Sequence, residues 1–410
     1  MPRGRTARSR GVAALLATAV LCLAACSGGD ASPRLTTHTV GRGLDGVGDL
    51  PAAASAWPEA GYDARFSSAT TAIGPQTGHV RWRAHLDGNA TPGPVLAADG
   101  SVLAATQTGR LYDLDSATGA TRWSFDGGGA YGVDLSTSPA VLGNGTILWP
   151  GAADTLFALD AGGHLFWKHS FGAQVLSPAI AGHDRVYVAD LSGRVVALDV
   201  SGPAPRIAWQ LDVGGPDYAS PSVGQNGTVY TAADHDLVAV RDLGSRGAVL
   251  WTLHTRKLVE VSNAVGPNGV VVLGTNNDHE FGVAPSGHVA WSRDINDYTY
   301  SSSVATNGGL AYFGDNTGRL RVVDVRSGEV KQVVAPLGKD KEKIWSSAVI
   351  DVRGDFYWAT TAGHVYGYDR NAKQLFHLDV DGGVNSYPAV GGDGTLYLGT
   401  TNGSVCAVGP

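Results

Sequence analysis

The chain has 410 residues with 57 glycines, 19 prolines and a formal net charge of -7, and 43% of its residues are hydrophobic against 16% charged. That balance supplies a real core but no basic field for nucleic acid, so nucleic acid is not an expected partner. Many turn formers without a collagen period point to an all-β protein.

In chain order, the first element is a leader. Arg3, Arg5, Arg8 and Arg10 precede the apolar stretch Gly11 to Ala25, the pattern of a secretory signal peptide over residues 1–25. Leu23-Ala24-Ala25-Cys26 has the form of a lipobox, which predicts a diacylglycerol on the Cys26 thiol and a membrane anchor. Cys22 leaves with the leader and Cys26 is lipidated, so Cys406 alone remains and no internal disulfide is expected. Ser27 is not the aspartate that retains lipoproteins in the inner membrane. The expected location is extracytoplasmic: the outer membrane facing the periplasm in a diderm cell, or the outside of the only membrane in a monoderm one.

Residues 26–56 are rich in Gly, Ala, Ser, Thr and Pro and read as a flexible tether, with the folded body expected over 57–410. From there one pattern returns about every 40 residues, the period of propeller blades. Each unit opens on a short apolar strand, as in Ser138-Pro139-Ala140-Val141, Ser177-Pro178-Ala179-Ile180 and Tyr387-Pro388-Ala389-Val390. A tight turn follows, as at Asp99-Gly100, Asn144-Gly145 and Asp393-Gly394, where positive φ is needed. The third strand is apolar on both faces, as in Gly193-Arg194-Val195-Val196-Ala197-Leu198-Asp199, and the outer strand carries Trp123, Trp167, Trp209, Trp251 or Trp291, replaced by Gln332 and Phe376 in two units.

The last unit stops after its third strand, while an unpartnered fourth strand, Gly78-His79-Val80-Arg81-Trp82, lies near the amino end. Joining the two predicts an eight-bladed β-propeller of four-stranded blades, closed by an N-terminal strand in the C-terminal blade. These motifs resemble the pyrroloquinoline-quinone-type (PQQ-like) repeat over nearly all of Trp57 to Pro410. That repeat occurs in the propeller lipoprotein of the outer-membrane β-barrel assembly machinery and in quinoprotein alcohol dehydrogenases.

Inter-blade loops and the turns between second and third strands are expected to share one face, where propeller function usually sits. The predicted binding face carries Tyr131, Asp134, Asp217, Tyr218, Glu260, Asp297, Tyr298, Tyr300, Trp345, Asn385 and Tyr387, with Lys343 beside Trp345. Aromatic rings beside carboxylates suit a glycan or a cationic peptide, and also serve as ordinary loop residues. Asp234-His235-Asp236 and Asp278-His279-Glu280 offer weak cation ligands, namely Asp234, Asp236, Asp278 and Glu280, although ligands adjacent in a turn tend to diverge. Cys406 reads as a small buried hydrophobe.

The expected function is a non-catalytic, lipid-anchored scaffold that binds an envelope protein or glycan, with no cofactor. The alternative implied by the resemblance is a PQQ-dependent alcohol or sugar dehydrogenase using PQQ with Ca²⁺. The alcohol-oxidising members carry adjacent cysteines and long insertions, and this chain has neither.

Overall fold

The computed structural model describes residues 33–129, 137–151, 154–216, 218–256, 258–259, 261–275, 279–295, 301, 304–305, 308–335 and 342–409. They form strands and turns without a helix, in eight antiparallel sheets. The inner strands of blades 1 to 8 are Val95–Leu96, Ala140–Val141, Ala179–Ala181, Ser222–Val223, Ala264–Val265, Val304–Ala305, Val349–Ile350 and Ala389–Val390. The expected propeller is the observed one.

Burial follows from the packing of blade on blade. Second and third strands are covered on both faces and read as apolar runs, as in Ile147–Pro150, where every residue is buried. Outer strands have one wet face, so Thr121–Asp126 alternates exposed with half-buried positions. In the outer strand of blade 1 a register shift opposite Asp113/Leu114 sets Trp123 against Asp113. The same shift before Trp82 sets it opposite Ala407. Such a bulge re-aims one side chain, here the indole that reaches the next blade.

That indole docks on a turn glycine of the following repeat. Trp82 donates from Nε1 to Ser116 O at 2.8 Å, and Trp123 to Ala161 O at 3.0 Å. Gly119 lies flat against the Trp82 ring, with φ of +73°, so a β-carbon there would sit 2.5 Å from it. Gln332 reproduces the hydrogen bond, from Nε2 to Arg370 O at 3.1 Å, and Phe376 packs on Gly78. The docking therefore runs from Phe376 to Gly78 and from Trp82 to Gly119 across the closure point.

One feature of the amino-terminal region departs from the expected tether over residues 26–56. Arg34–Thr37 forms a fifth strand on blade 4, antiparallel to Gly247–His254 with Thr37 opposite Trp251, and Val47 is buried between blades 3 and 4. The body thus begins at Pro33 rather than Trp57. A short polar strand without alternation has no sequence signature of its own; it is ordered by the unpaired edge that it covers.

The start of the expected folded body forms a plug. Residues 57–70 cross the end of the channel on the side of the turns between first and second strands. Leu96 N donates to Trp57 O, Val141 N to Pro58 O, Val223 N to Ala64 O, Val265 N to Arg65 O and Ile350 N to Ser68 O, all at 2.7–2.9 Å. In blade 3 the acceptor is a side chain: Ile180 N donates to Glu59 Oε2 at 2.8 Å. Inner strands of six blades are thus tied to one segment, which satisfies backbone donors that would otherwise face the lumen.

Burial pushes the Glu59 carboxyl well above the usual carboxylate range, and the neighbouring Asp63 adds to the effect. A folded-state value above the unfolded one means that the native chain binds the extra proton, so this group's contribution is full at low pH and is lost as pH rises through the folded value. Glu59→Gln keeps an acceptor for Ile180 N without the charge. We expect the variant to melt a few degrees higher than wild type at pH 8 and equally at pH 4 in thermal unfolding scans. A lower melting point at pH 8 would contradict this reading of Glu59.

Candidate binding face

The face opposite the plug is built from inter-blade loops laced to the turns between second and third strands. Leu86 N donates to Gly403 O, Gly127 N to Gly109 O, Val213 N to Gly193 O and Val380 N to Gly363 O, at 2.7–3.0 Å. The turns bond back to the loop of the preceding blade, with Thr361 N on Lys343 O and Leu191 N on Gln174 O. The described parts of these loops are held on both sides, which lowers the ordering cost of binding at those points. Ion pairs ring its outer edge, among them Arg110 with Asp126 at 2.8 Å and Arg83 with Asp381 at 3.1 Å. Half-exposed pairs of this kind add little stability.

Of the residues expected on this face, Tyr131, Asp134, Asp217, Glu260, Asp297, Tyr298 and Tyr300 lie outside the described residues, as does Cys26. Tyr218 and Asn385 are half-buried there. Trp345 is also half-buried; its Nε1 donates to Asn316 Oδ1 at 2.8 Å and the Lys343 ammonium stands 5.1 Å from its ring centroid. Tyr387 does not present itself to a partner. Its ring packs on Phe66 of the plug, 5.8 Å between centroids, and its hydroxyl donates to Ser262 Oγ of blade 5 at 3.1 Å. A tyrosine in the slot that holds serine in other repeats is long enough to cross the lumen.

The weak cation ligands separate. Glu280, expected beside Asp278 in an exposed turn, has a fully buried side chain in an ion pair with Arg321, Oε1 to Nε 2.9 Å. Asp278 lies outside the described residues. Asp234 faces His235 Nδ1 at 2.6 Å, while Asp236 faces His254 Nδ1 at 2.7 Å. His254, on the outer strand of the same blade, is a partner that chain order could not reveal. A different trio comes together at the rim of blade 7: His364, His377 and Asp379, whose ligand atoms lie within 4.8 Å of one another. Sequence reasoning missed it because the contact depends on the register that sets His364 opposite Asp379 and Tyr366 opposite His377.

Cys406 is fully buried among blade 8 and its neighbours, and burial pushes its thiol up to about 11. A thiol held protonated is neither a nucleophile nor a ligand at neutral pH.

With the fold and face in place, comparison identifies the relatives. A family model described as outer membrane protein assembly factor BamB matches residues 67–131, 129–217 and 205–410. The chain belongs to this family. A curated member, the outer membrane protein assembly factor BamB of Moranella endobia (strain PCIT), is 26% identical over 258 residues, 58% of this chain and 63% of that protein. The match thus spans less than two thirds of that relative's length. Among solved structures, BamB from Moraxella catarrhalis superposes with a TM-score of 0.60 at 17% identity, covering 81% of this chain and all of that one. Quinohemoprotein alcohol dehydrogenase from Comamonas testosteroni gives 0.68 at 12% identity, covering 86% and 80%. A europium-containing methanol dehydrogenase gives 0.67 at 13%, covering 87% and 91%. At these identities the structural likeness shows the fold alone.

Proposed function

We propose that this chain is a lipid-anchored, extracytoplasmic propeller that acts as a scaffold for an outer-membrane assembly protein, docked on the inter-blade face. The family match over nearly the whole propeller carries this reading, since its members are named for outer membrane protein assembly. Among the described residues the laced loops supply fixed points on that face, and the plugged channel leaves the two ends of the propeller unequal. A docked envelope protein fits the face better than a glycan. At Trp345, the one aromatic of the predicted cluster described with its contacts to solvent-side groups, Lys343 stands over the ring that a sugar would stack on.

The quinoprotein alternative is not favoured. The sequence holds no adjacent cysteine pair, and Cys406 is buried in blade 8.

The anchor gains a geometric consequence. From Cys26 to Arg34 there are eight residue steps, at most about 28 Å of chain, so the rim of blade 4 would be held near the membrane. Replacing Asp217, Tyr218, Asp297 and Tyr298 together should remove the envelope partner from a crosslinking pull-down while leaving the melting temperature unchanged. An unaltered partner set in the folded variant would remove this face from consideration.

A further inference from the structure

At the start of the third strand, where blades 1 and 3 carry Arg110 and Arg194 in ion pairs with Asp126 and Asp190, blade 7 carries His364. Its ring lies between two carboxylates. Glu342 Oε1, from the preceding inter-blade loop, is 2.9 Å from His364 Nε2, and Glu342 Oε2 accepts from Thr360 Oγ1 at 3.0 Å. An ionised carboxylate only accepts, so Nε2 carries the proton and, in a neutral ring, Nδ1 presents its lone pair. Nδ1 lies at hydrogen-bond distance, 2.5 Å, from Asp379 Oδ1, which places a second proton between them; His377 Nε2 is 3.3 Å from Nδ1 and 3.2 Å from Asp379 Oδ1. Three groups that offer electron pairs once that proton leaves therefore converge within 4.8 Å of one another.

We propose that His364, His377 and Asp379 bind a divalent metal ion of the zinc class, with Glu342 orienting His364 from behind. Two imidazoles, which are borderline donors, beside one carboxylate suit zinc rather than calcium or magnesium, which take oxygen ligands. Tetrahedral zinc with bonds of 2.0–2.1 Å sets its ligand atoms about 3.3 Å apart. Two of the three edges already have that length, and the Asp379 to His364 edge has to open on binding. Glu342 occupies the carboxylate position behind a metal-bound histidine that fixes its tautomer. Ring stacking of His377 on Tyr366, 4.6 Å between centroids at 8°, holds the second imidazole. Asp379 is 68% exposed at the side chain, so an ion has a path in and a fourth position stays open at the edge of the binding face. Any second proton on His364 leaves to solvent as the ion binds.

The test is calorimetric titration of the untagged full-length chain, stripped with chelator, with Zn²⁺, alongside Co²⁺ absorption to report coordination. One ion per chain and a four-coordinate Co²⁺ spectrum are expected. His377→Phe keeps the stack on Tyr366 while removing a ligand, and Asp379→Asn alters an exposed side chain; each should weaken binding by more than the roughly 10–100-fold expected of Glu342→Gln. No stoichiometric Zn²⁺ binding, with His364 simply holding a second proton, would overturn the proposal. So would undiminished binding in folded His377→Phe or Asp379→Asn, which would move the ion to another site such as His235 and His254.

Discussion

Trp82→Ala should lower stability by about 3–5 kcal/mol, the loss expected for truncating a large buried aromatic, as read from chemical denaturation. The ring is 8% exposed, packs on Gly119 of blade 1 and lies 5.9 Å from Tyr397 in its own sheet. Its Nε1 also leaves Ser116 O without a donor when removed. What sets Trp82 apart from the other docked indoles is its place in the chain. It sits on His79–His85, the strand that pairs with Ser404–Gly409 and closes the ring. Weakening it exposes the edge of the last blade at the same time. Trp123→Ala is the matched control, because that indole makes the same kind of contact on Gly163 but is half-exposed and lies on a strand covalently continuous with its blade. Trp123→Ala should cost distinctly less. Equal losses for the two would show that the closure strand carries no special weight.

Arg321→Met should cost a similar amount, about 3–5 kcal/mol, for an electrostatic reason. Arg321 joins blades 5 and 6: Nε lies 2.9 Å from Glu280 Oε1 and Nη1 2.6 Å from Asp315 Oδ2, with both carboxylates almost wholly buried. Burial pushes the Glu280 carboxyl up, and Arg321 pulls it back. Methionine fills the volume but leaves Asp315 without its cation and Glu280 with Arg293 alone, 3.5 Å from Oε2. The Glu280→Met, Arg321→Met double variant should recover the Glu280 part of the loss, since a buried pair replaced by apolar groups is often close to neutral, while Asp315 stays uncompensated. The loss in Arg321→Met should also shrink as pH falls, because a protonated carboxyl no longer needs the cation. A double variant as unstable as the single one would mean that packing, not charge, holds this contact.

The propeller was legible because its signals are local and repeated. Asn144-Gly145 marks a hairpin within four residues, and Trp82 without a blade of its own reveals closure. The contacts between repeats were not legible. Gly119 and Trp123 stand four residues apart in one repeat, yet Gly119 receives Trp82 and Trp123 goes to Gly163. Glu280 looked like part of an exposed acidic turn because its arginine partner lies 41 residues onward in the next blade. Tyr387 reads as a loop aromatic until the lumen it spans is known, and Arg34–Thr37 reads as linker until the edge it covers is known. The site trio at His364 fails for the same reason, since register across two strands brings it together. Composition and repeat spoke correctly for the fold class, while three-dimensional neighbours decided which side chains meet.

The central claim is that an envelope protein docks on the inter-blade face rather than the plugged one. Photo-crosslinking amino acids placed singly at Tyr218 and Lys343, on the inter-blade face, and at Ala117 and Ser286, on turns of the opposite face, test this in intact cells. The account predicts one shared partner band from Tyr218 and Lys343, identified by mass spectrometry as an outer-membrane assembly protein, with none from Ala117 or Ser286. The same band from Ala117 and Ser286, with none from Tyr218 and Lys343, would contradict it.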